Sequence, residues 1–185
     1  MIREMDHSIN IYEDVISQEL CDELIALHTT EKRNVGKEII DLTDNSNVEC
    51  YYLDLNDYPE KEEKVSQVVN GIIDRVLKDN EWFPEDLTYG SYALRKHYGK
   101  TLLHVDGLHD EDSKFGHRIL SVIIALSDDY DGGVFNFPKQ NYQVKLKKRE
   151  AITFPPNHFY PHEVSAASNG DRYSINLWIL EEFED

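Results

Sequence analysis

The stretch Thr101 to Asp106 reads T-L-L-H-V-D and contains a histidine and an aspartate, two residue types that bind metals. His104 and Asp106 lie two residues apart, and residues two apart in a β-strand point to the same face. An imidazole nitrogen and a carboxylate oxygen side by side supply two of the three protein ligands of a mononuclear metal site. Taken alone the pattern is weak, because roughly one H-x-D match is expected by chance. A half-exposed histidine beside a solvated aspartate would give the same letters.

Length, composition and charge limit the classes of protein. At 185 residues and 40% hydrophobic content, the chain is long enough for one domain with a sizeable core. The formal net charge is −17, which would repel both a nucleic-acid backbone and an anionic membrane. We therefore expect neither a nucleic-acid partner nor a membrane partner.

Cysteine use and the N-terminus bear on the compartment. Cys21 and Cys50 are too few for a disulfide framework. The N-terminus lacks the apolar core of a signal peptide, and no apolar run approaches the roughly 20 residues that a membrane span requires. These features predict a protein of the reducing cytoplasm.

The first half of the chain carries two helical patterns. Residues 17–29 begin at a serine N-cap and carry leucines at helical spacing. Pro59 opens a second helix, with acidic residues in its first turn and one apolar stripe. Residues 48–55 are typical of a strand, and residues 30–47 of a loop or a loosely held hairpin.

From Tyr89 onward the pattern changes to short strands separated by glycine-, proline- and asparagine-containing turns. The predicted strands cover residues 89–98, 101–106, 118–126, 133–137, 142–146, 150–154, 162–165 and 172–180. This spacing favours a mainly β fold, a double-sheet jelly roll of the cupin type buttressed by the two helices. We expect a single domain over residues 1–185, with helical support and a lid region in 1–88 and the jelly-roll core in 89–180.

Two residues downstream strengthen the metal hypothesis. His162 starts a predicted strand after a proline-rich turn and would add a second imidazole. Arg172 lies in D-R-Y-S-I-N-L-W, where strand alternation puts one set on a single face: Arg172, Ser174, Asn176 and Trp178. If that face lines the interior, the guanidinium needs an anionic ligand, because an uncompensated buried charge is costly. An exposed arginine on an edge strand is the alternative.

Two histidines and one carboxylate can serve more than one metal. On six-coordinate Fe(II) they leave three positions for a bidentate 2-oxo acid and O₂. Zinc can use the same ligands plus a water molecule, as in a hydrolase. Zinc hydrolysis does not explain an inward Arg172, whereas the distal carboxylate of a dicarboxylate co-substrate does, and Ser174 could add a hydroxyl to that contact.

These residues together resemble a known family, the 2-oxoglutarate- and Fe(II)-dependent oxygenases, and within it the prolyl 4-hydroxylase-like branch. The resemblance runs from about Tyr89 to Ile179. Besides the H-V-D motif, His162 and Arg172, it includes the following at the family's spacing: Arg118-Ile119-Leu120-Ser121, Leu126-Ser127-Asp128, Gly132-Gly133, Phe137-Pro138, Gly170 and Trp178.

The resemblance implies a double-stranded β-helix enzyme that hydroxylates an unactivated C–H bond and releases succinate and CO₂. Its implied cofactors are Fe(II), 2-oxoglutarate, O₂ and ascorbate. It implies His104, Asp106 and His162 as iron ligands, and Arg172 as the ligand of the 5-carboxylate of 2-oxoglutarate. The implied substrate is a peptidyl proline, with another residue type or a free small molecule as the alternative. A cupin-like metal sensor without redox turnover and a zinc hydrolase are the alternatives from other classes.

The chain departs from the family pattern at the co-substrate pocket. The family often has a tyrosine three residues before the first metal histidine, where this chain has Thr101. We expect Tyr98 or Tyr92 to substitute for that tyrosine in binding the co-substrate. Arg149 stands where a turn glycine is common, and Phe135 where a threonine is common.

Two polar segments, residues 30–47 and 107–117, are candidates for lids over a peptide groove. Proline-rich segments are extended and pre-ordered, so an aromatic groove closed by such loops would hold one at low entropic cost. The candidates for the aromatic lining are Tyr51, Tyr52, Phe135 and Trp178.

Overall fold

The computed structural model describes residues 8–31, 36–39, 48–84, 86–107 and 117–181. The two α-helices among these residues are α1, Gln18–Thr30, and α2, Pro59–Asp79, and a short 3-10 helix covers Leu55–Asp57. The strands in chain order are β1 (Asn10–Tyr12), β2 (Gly36–Ile39), β3 (Val48–Asp54), β4 (Leu87–Tyr89), β5 (Ala93–His97), β6 (Thr101–His104), β7 (His117–Ala125), β8 (Asp131–Gly132), β9 (Phe135–Phe137), β10 (Tyr142–Val144), β11 (Ala151–Phe154), β12 (His162–Val164), β13 (Ala167–Ser168) and β14 (Arg172–Glu181).

The strands form two principal antiparallel sheets. Over the described residues, the larger sheet has the order β1-β11-β7-β14-β5-β3-β2, with β4 paired to β14. The smaller sheet has the order β10-β9-β12-β6, and β8 and β13 form a separate ladder. Most neighbouring strands are distant in sequence, as in a jelly roll. The predicted double-sheet architecture is therefore confirmed.

Both helices cover the outer face of the larger sheet. Ser17 caps α1, because its hydroxyl accepts a hydrogen bond from the Leu20 backbone N–H at 3.1 Å. The apolar stripes of α1 and α2 pack with outward-facing sheet residues in one core, whose members include Leu24, Val69, Ile72, Leu94 and Ile175. A second core lies between the sheets and includes Ile123, Phe137, Ile152, Phe154 and Val164. The predicted helical support is confirmed.

The N-terminal region matches the predicted strand at 48–55 with β3 and differs from the prediction in the additional strand β1. Three strands from it, β1, β2 and β3, join the larger sheet. The short β1 was missed because three residues carry no readable alternation, and its pairing with β11 alone makes it a strand. Of the lid candidates, residues 36–39 pair with β3 as a hairpin. Residues 32–35, 40–47 and 108–116 lie outside the described residues.

The predicted strand 89–98 is two strands, β4 and β5. The chain leaves the ladder at Gly90, whose backbone N–H donates to the Trp178 oxygen at 2.9 Å. A Cβ at Gly90 would lie 3.2 Å from that same oxygen, so the close backbone approach favours glycine. The break matters for function, because it resets which residues of β5 face the inside.

Two further features concern membrane-crossing helices and the cysteines. In the described part of the chain, no helix combines the length and the apolar character that crossing a membrane requires. Cys21 and Cys50 are both buried free thiols.

Gly71 gives a test of the assignment of α2. It lies in the exposed interior of that helix, and a Cβ there would meet nothing within 4 Å. Gly71→Ala should therefore raise the free energy of unfolding by about 0.5–1 kcal/mol, because alanine loses less backbone entropy on folding. Urea denaturation monitored by circular dichroism measures the change.

Gly133→Ala is the matched control with the opposite sign. Gly133 has φ +64°, and a Cβ there would lie 2.5 Å from the Tyr130 ring. The same added methyl group should lower the free energy of unfolding by more than about 1 kcal/mol. Equal effects of the two substitutions would contradict the placement of both glycines.

Candidate metal centre

The structure brings His104, Asp106 and His162 together. Each offers one ligand atom, and the three atoms lie within 4.8 Å of one another. His104 ends β6 and His162 begins β12, and the two are cross-strand partners in register. Oδ1 of Asp106 lies 3.1 Å from Nε2 of His104 and 3.7 Å from Nε2 of His162.

Backbone carbonyls orient both imidazole rings. Nδ1 of His104 lies 2.7 Å from the Leu102 oxygen, and Nδ1 of His162 lies 3.2 Å from the Tyr160 oxygen. A carbonyl oxygen can only accept, so each Nδ1 carries a proton and donates, and Nε2 is the nitrogen that faces Asp106 and can bind a metal. Such bonds fix the ring of a metal-binding histidine and raise its basicity.

Strand β7 holds Asp106 from two sides. The Ser121 hydroxyl donates to Oδ2 of Asp106 at 2.6 Å, which leaves Oδ1 beside the two histidines. Arg118 donates to the backbone oxygen of Asp106 at 3.0 Å. No role for either residue is predicted from the sequence. Their motif R-I-L-S was visible, but spacing alone does not reveal which group a strand residue contacts.

The protonation states suit metal binding. Burial by itself would raise the pKa of the Asp106 carboxyl, but its close contacts with His104 and His162 and the hydrogen bond from Ser121 hold it well below its usual range. Burial lowers the pKa of His162. The site therefore offers a charged carboxylate and a neutral imidazole near neutral pH. Two imidazoles and one carboxylate fit a facial metal triad.

A cavity of about 810 Å³ opens beside these three residues. Its charged lining residues are Arg95, Arg118, Arg172 and Asp106, so the described wall is positive although the chain carries a net charge of −17. A confined positive surface concentrates anions.

Arg172 lies inside the molecule. It is 5% exposed, lines the cavity and opens β14, a central strand of the larger sheet. Its guanidinium lies 5.3 Å from the ring centroid of Phe135 and hydrogen-bonds the Tyr130 side chain. Gly133 makes room for it, because a Cβ there would lie 3.1 Å from Cδ of Arg172. The exposed edge-strand alternative is excluded.

Ser174 and His97 form a buried pair on the same face. The Ser174 hydroxyl lies 2.8 Å from Nε2 of His97 and 2.6 Å from Oδ1 of Asn176. In this structure the hydroxyl bonds protein groups, and a direct contact with a co-substrate stays a prediction. His97 pairs across the strands with Arg172 and lines the cavity. No role for His97 is predicted from the sequence, although the alternation in A-L-R-K-H puts it on the face of Arg95.

Neither Tyr92 nor Tyr98 is among the residues that line the cavity, so this structure does not place either where the co-substrate is expected, and a role in binding it stays a prediction. The inner face of β5 carries Ala93, Arg95 and His97, and alternation sends both tyrosines to the other face. Tyr92 is 5% exposed within the helix-covered core, whereas Tyr98 is 48% exposed.

Three of the four predicted lining aromatics do line the cavity: Tyr52, Phe135 and Trp178. Tyr51 does not, because it neighbours Tyr52 on β3 and therefore faces the opposite side. Its ring lies edge-on to that of Tyr98, at a centroid distance of 5.4 Å.

Ser121→Ala tests the support of the carboxylate. Loss of its hydrogen bond to Asp106 should weaken metal binding about 10- to 100-fold, because partners of metal ligands contribute to this extent. Calorimetric titration of the metal-free protein with Zn(II) measures the affinity. Ser127→Ala is the control, because that hydroxyl bonds the Asp171 oxygen instead. Equal zinc affinity in the Ser121 variant and the unaltered protein would contradict the role of Ser121.

Comparison with known proteins agrees with this geometry. Residues 89–180 match the model of the 2OG-Fe(II) oxygenase superfamily. A putative prolyl 4-hydroxylase of Acanthamoeba polyphaga mimivirus is 30% identical over 112 residues, 52% of this chain and 45% of that protein. Prolyl 4-hydroxylase 2 of Arabidopsis thaliana is 26% identical over 202 aligned positions, 91% of this chain and 66% of that protein. The chain thus spans about half to two thirds of these curated relatives.

A solved structure extends the likeness to the whole fold. The prolyl hydroxylase of Trichoplax adhaerens, in complex with a peptide fragment of the hypoxia inducible factor oxygen degradation domain, gives a TM-score of 0.69 at 18% identity. The structural alignment covers 95% of this chain and 84% of the Trichoplax protein. The two sheets therefore form the predicted double-stranded β-helix, and the family implies Fe(II), 2-oxoglutarate and O₂. Residues 89–180, which contain this metal-ligand geometry, form a domain of the 2OG-Fe(II) oxygenase superfamily.

Proposed function

We propose that this protein is a 2-oxoglutarate-dependent dioxygenase that hydroxylates an unactivated C–H bond, with His104, Asp106 and His162 as the iron ligands. The observation that carries the proposal is the convergence of three ligand atoms within 4.8 Å beside a cavity whose wall contains the buried Arg172. Bound Fe(II) supplies the reaction of O₂ with 2-oxoglutarate, which gives succinate and CO₂ and leaves one oxygen atom for the substrate.

The chain's own residues bind and orient the metal and the co-substrate. Backbone carbonyls fix the two imidazoles, and Ser121 leaves only one carboxylate oxygen of Asp106 beside them. Arg172 binds the distal carboxylate of 2-oxoglutarate, because a guanidinium matches a carboxylate with two parallel hydrogen bonds. Burial strengthens this contact, since little water competes for either charge.

We propose a peptidyl proline as the substrate. The relatives are named as prolyl 4-hydroxylases, and one similar structure holds a peptide. Tyr52, Phe135 and Trp178 line the cavity, and aromatic-lined grooves are a known way of binding proline-rich segments. Leu102 and Val105, 46% and 37% exposed, extend the apolar lining outward. The net charge of −17 favours a neutral or basic segment. Another residue type or a free small molecule is the alternative for the same chemistry.

A zinc hydrolase and a non-redox metal sensor would use the same three ligands. The buried guanidinium favours the oxygenase, because a dicarboxylate co-substrate uses it and hydrolysis at zinc does not. We also propose ascorbate as the reductant, a cytoplasmic location and a single domain over residues 1–185.

The direct test is mass spectrometry of peptides incubated with the protein, Fe(II), ascorbate and 2-oxoglutarate. We expect proline-containing peptides to gain one oxygen atom on proline, with one succinate formed per hydroxylation. His104→Ala should abolish both products, because the metal loses an imidazole ligand. Oxidation confined to free amino acids or to other residue types would exclude proline, and succinate formation by the His104 variant would exclude the ligand assignment.

Arg172→Leu tests the co-substrate site. Losing a charge-assisted pair costs about 1.5–3 kcal/mol, which corresponds to roughly a 10- to 150-fold rise in KM for 2-oxoglutarate. The KM for the prime substrate should change far less. Steady-state kinetics with each substrate varied in turn measure both values. Arg172→Lys, which keeps the charge but not the fork, should lie between. An unchanged KM for 2-oxoglutarate in the leucine variant would move the anion site elsewhere.

A further inference from the structure

A β-bulge in β7 aims two side chains at one aspartate. Arg118 and Ser121 are three residues apart, so in a regular strand they would point to opposite faces. The pairing with β14 shifts at this point: Leu120 lies opposite Ile179, whereas Arg118 lies opposite Leu180. Ile119 is therefore the extra residue, and the bulge returns Arg118 to the inner face that carries Ser121. Bulges beside active sites commonly redirect a side chain in this way.

The bulge lets Arg118 reach a backbone group that β6 leaves outside its ladder. The strand ends at His104, and Asp106 follows two residues later. Nη1 of Arg118 donates to the Asp106 backbone oxygen at 3.0 Å, while Ser121 holds the carboxylate of the same residue at 2.6 Å. Together these two bonds fix the backbone and the side chain of one proposed metal ligand.

The same guanidinium also packs on the aromatic wall of the cavity. Its Cζ lies 3.8 Å from the ring centroid of Trp178, within the range of a strong cation–π contact. Trp178 is the cross-strand partner of Ser121, so the tryptophan and the serine share the inner face. A planar guanidinium can stack on a ring and donate in its own plane at once, which an ammonium group cannot do.

We propose that Arg118 is a positioning residue that couples the cavity wall at Trp178 to the metal ligand Asp106, so that metal affinity depends on the stacking of Arg118 on Trp178. The inference rests on the proposed function only in taking Asp106 as a metal ligand. It follows that a substrate group contacting Trp178 or Arg118 changes how firmly Asp106 is held. By linkage, metal binding in turn changes the affinity of the wall for that group.

The sharpest test alters Trp178, which the proposal places outside the metal ligands. Trp178→Leu should weaken Zn(II) binding about 2- to 30-fold, the range expected for the loss of one cation–π contact. Arg118→Met should weaken Zn(II) binding about 10- to 100-fold. In the double variant the loss of Zn(II) affinity should be much smaller than the product of the two single losses, because both substitutions remove the same coupled contact. Zinc serves as the probe because it is redox-inert, and calorimetry gives the affinity.

A spectroscopic readout separates coupling from general damage. The chain has two tryptophans, and Trp82 is 91% exposed. Trp82→Phe should leave zinc affinity unchanged and makes Trp178 the sole reporter. Zinc should then shift the emission of Trp178. Arg118→Met should abolish that shift, and Arg118→Lys should show a smaller shift than the protein with Arg118. Thermal unfolding of each variant establishes that it is folded.

Zinc affinity unchanged in a folded Trp178→Leu variant would overturn the proposal, as would full additivity in the double variant. Failure of the proposed function would look different. In that case the unaltered protein would bind zinc through His104 and show the Trp178 dependence, yet would not convert 2-oxoglutarate with Fe(II) and any peptide.

Discussion

The antiparallel pairing of β6 with β12 is the constraint on which the site depends. It sets His104 directly opposite His162, although the two are 58 residues apart in the chain. Closing such a long loop costs conformational entropy, and the ladder and the two packed cores must offset that cost before the imidazoles can meet. The ligand geometry is therefore a property of the sheet register. A slip of one residue would send one histidine to the other face.

The larger sheet supplies the polar groups that support this pairing. Its outer face is covered by α1 and α2, so most of its hydrophobic burial lies on that side. The inner face can then carry charged and hydroxyl side chains such as Arg172, Ser121 and Ser174 without loss of the core. Each is held by a partner: Ser121 bonds Asp106, Ser174 bonds His97, and Arg172 packs on Phe135. Buried polar groups are tolerated when they have such partners.

The cavity wall is positively charged, although the molecule as a whole is strongly negative. Three arginines face the cavity of a protein whose net charge is −17. Burial and the charges of Arg172 and Arg95 hold the pKa of His97 well below its usual range, so the ring adds no further positive charge. The acidic exterior repels other polyanions, while the walls of the cavity favour a small anion that can enter it.

The sequence by itself determined the two helices, most of the strands and the identity of the residues that meet at the metal centre. These followed from local physics, because helical spacing, strand alternation and turn residues act over a few positions. Alternation correctly placed Arg172, Asn176 and Trp178 on one face. Tertiary structure alone decided which face of a strand is the inside. For this reason the sequence did not show that Tyr92 and Tyr98 lie outside the cavity lining, and His97 was overlooked. It also decided the pairing of β1 and the bulge at Ile119, because register is set by a partner strand that the local sequence does not contain.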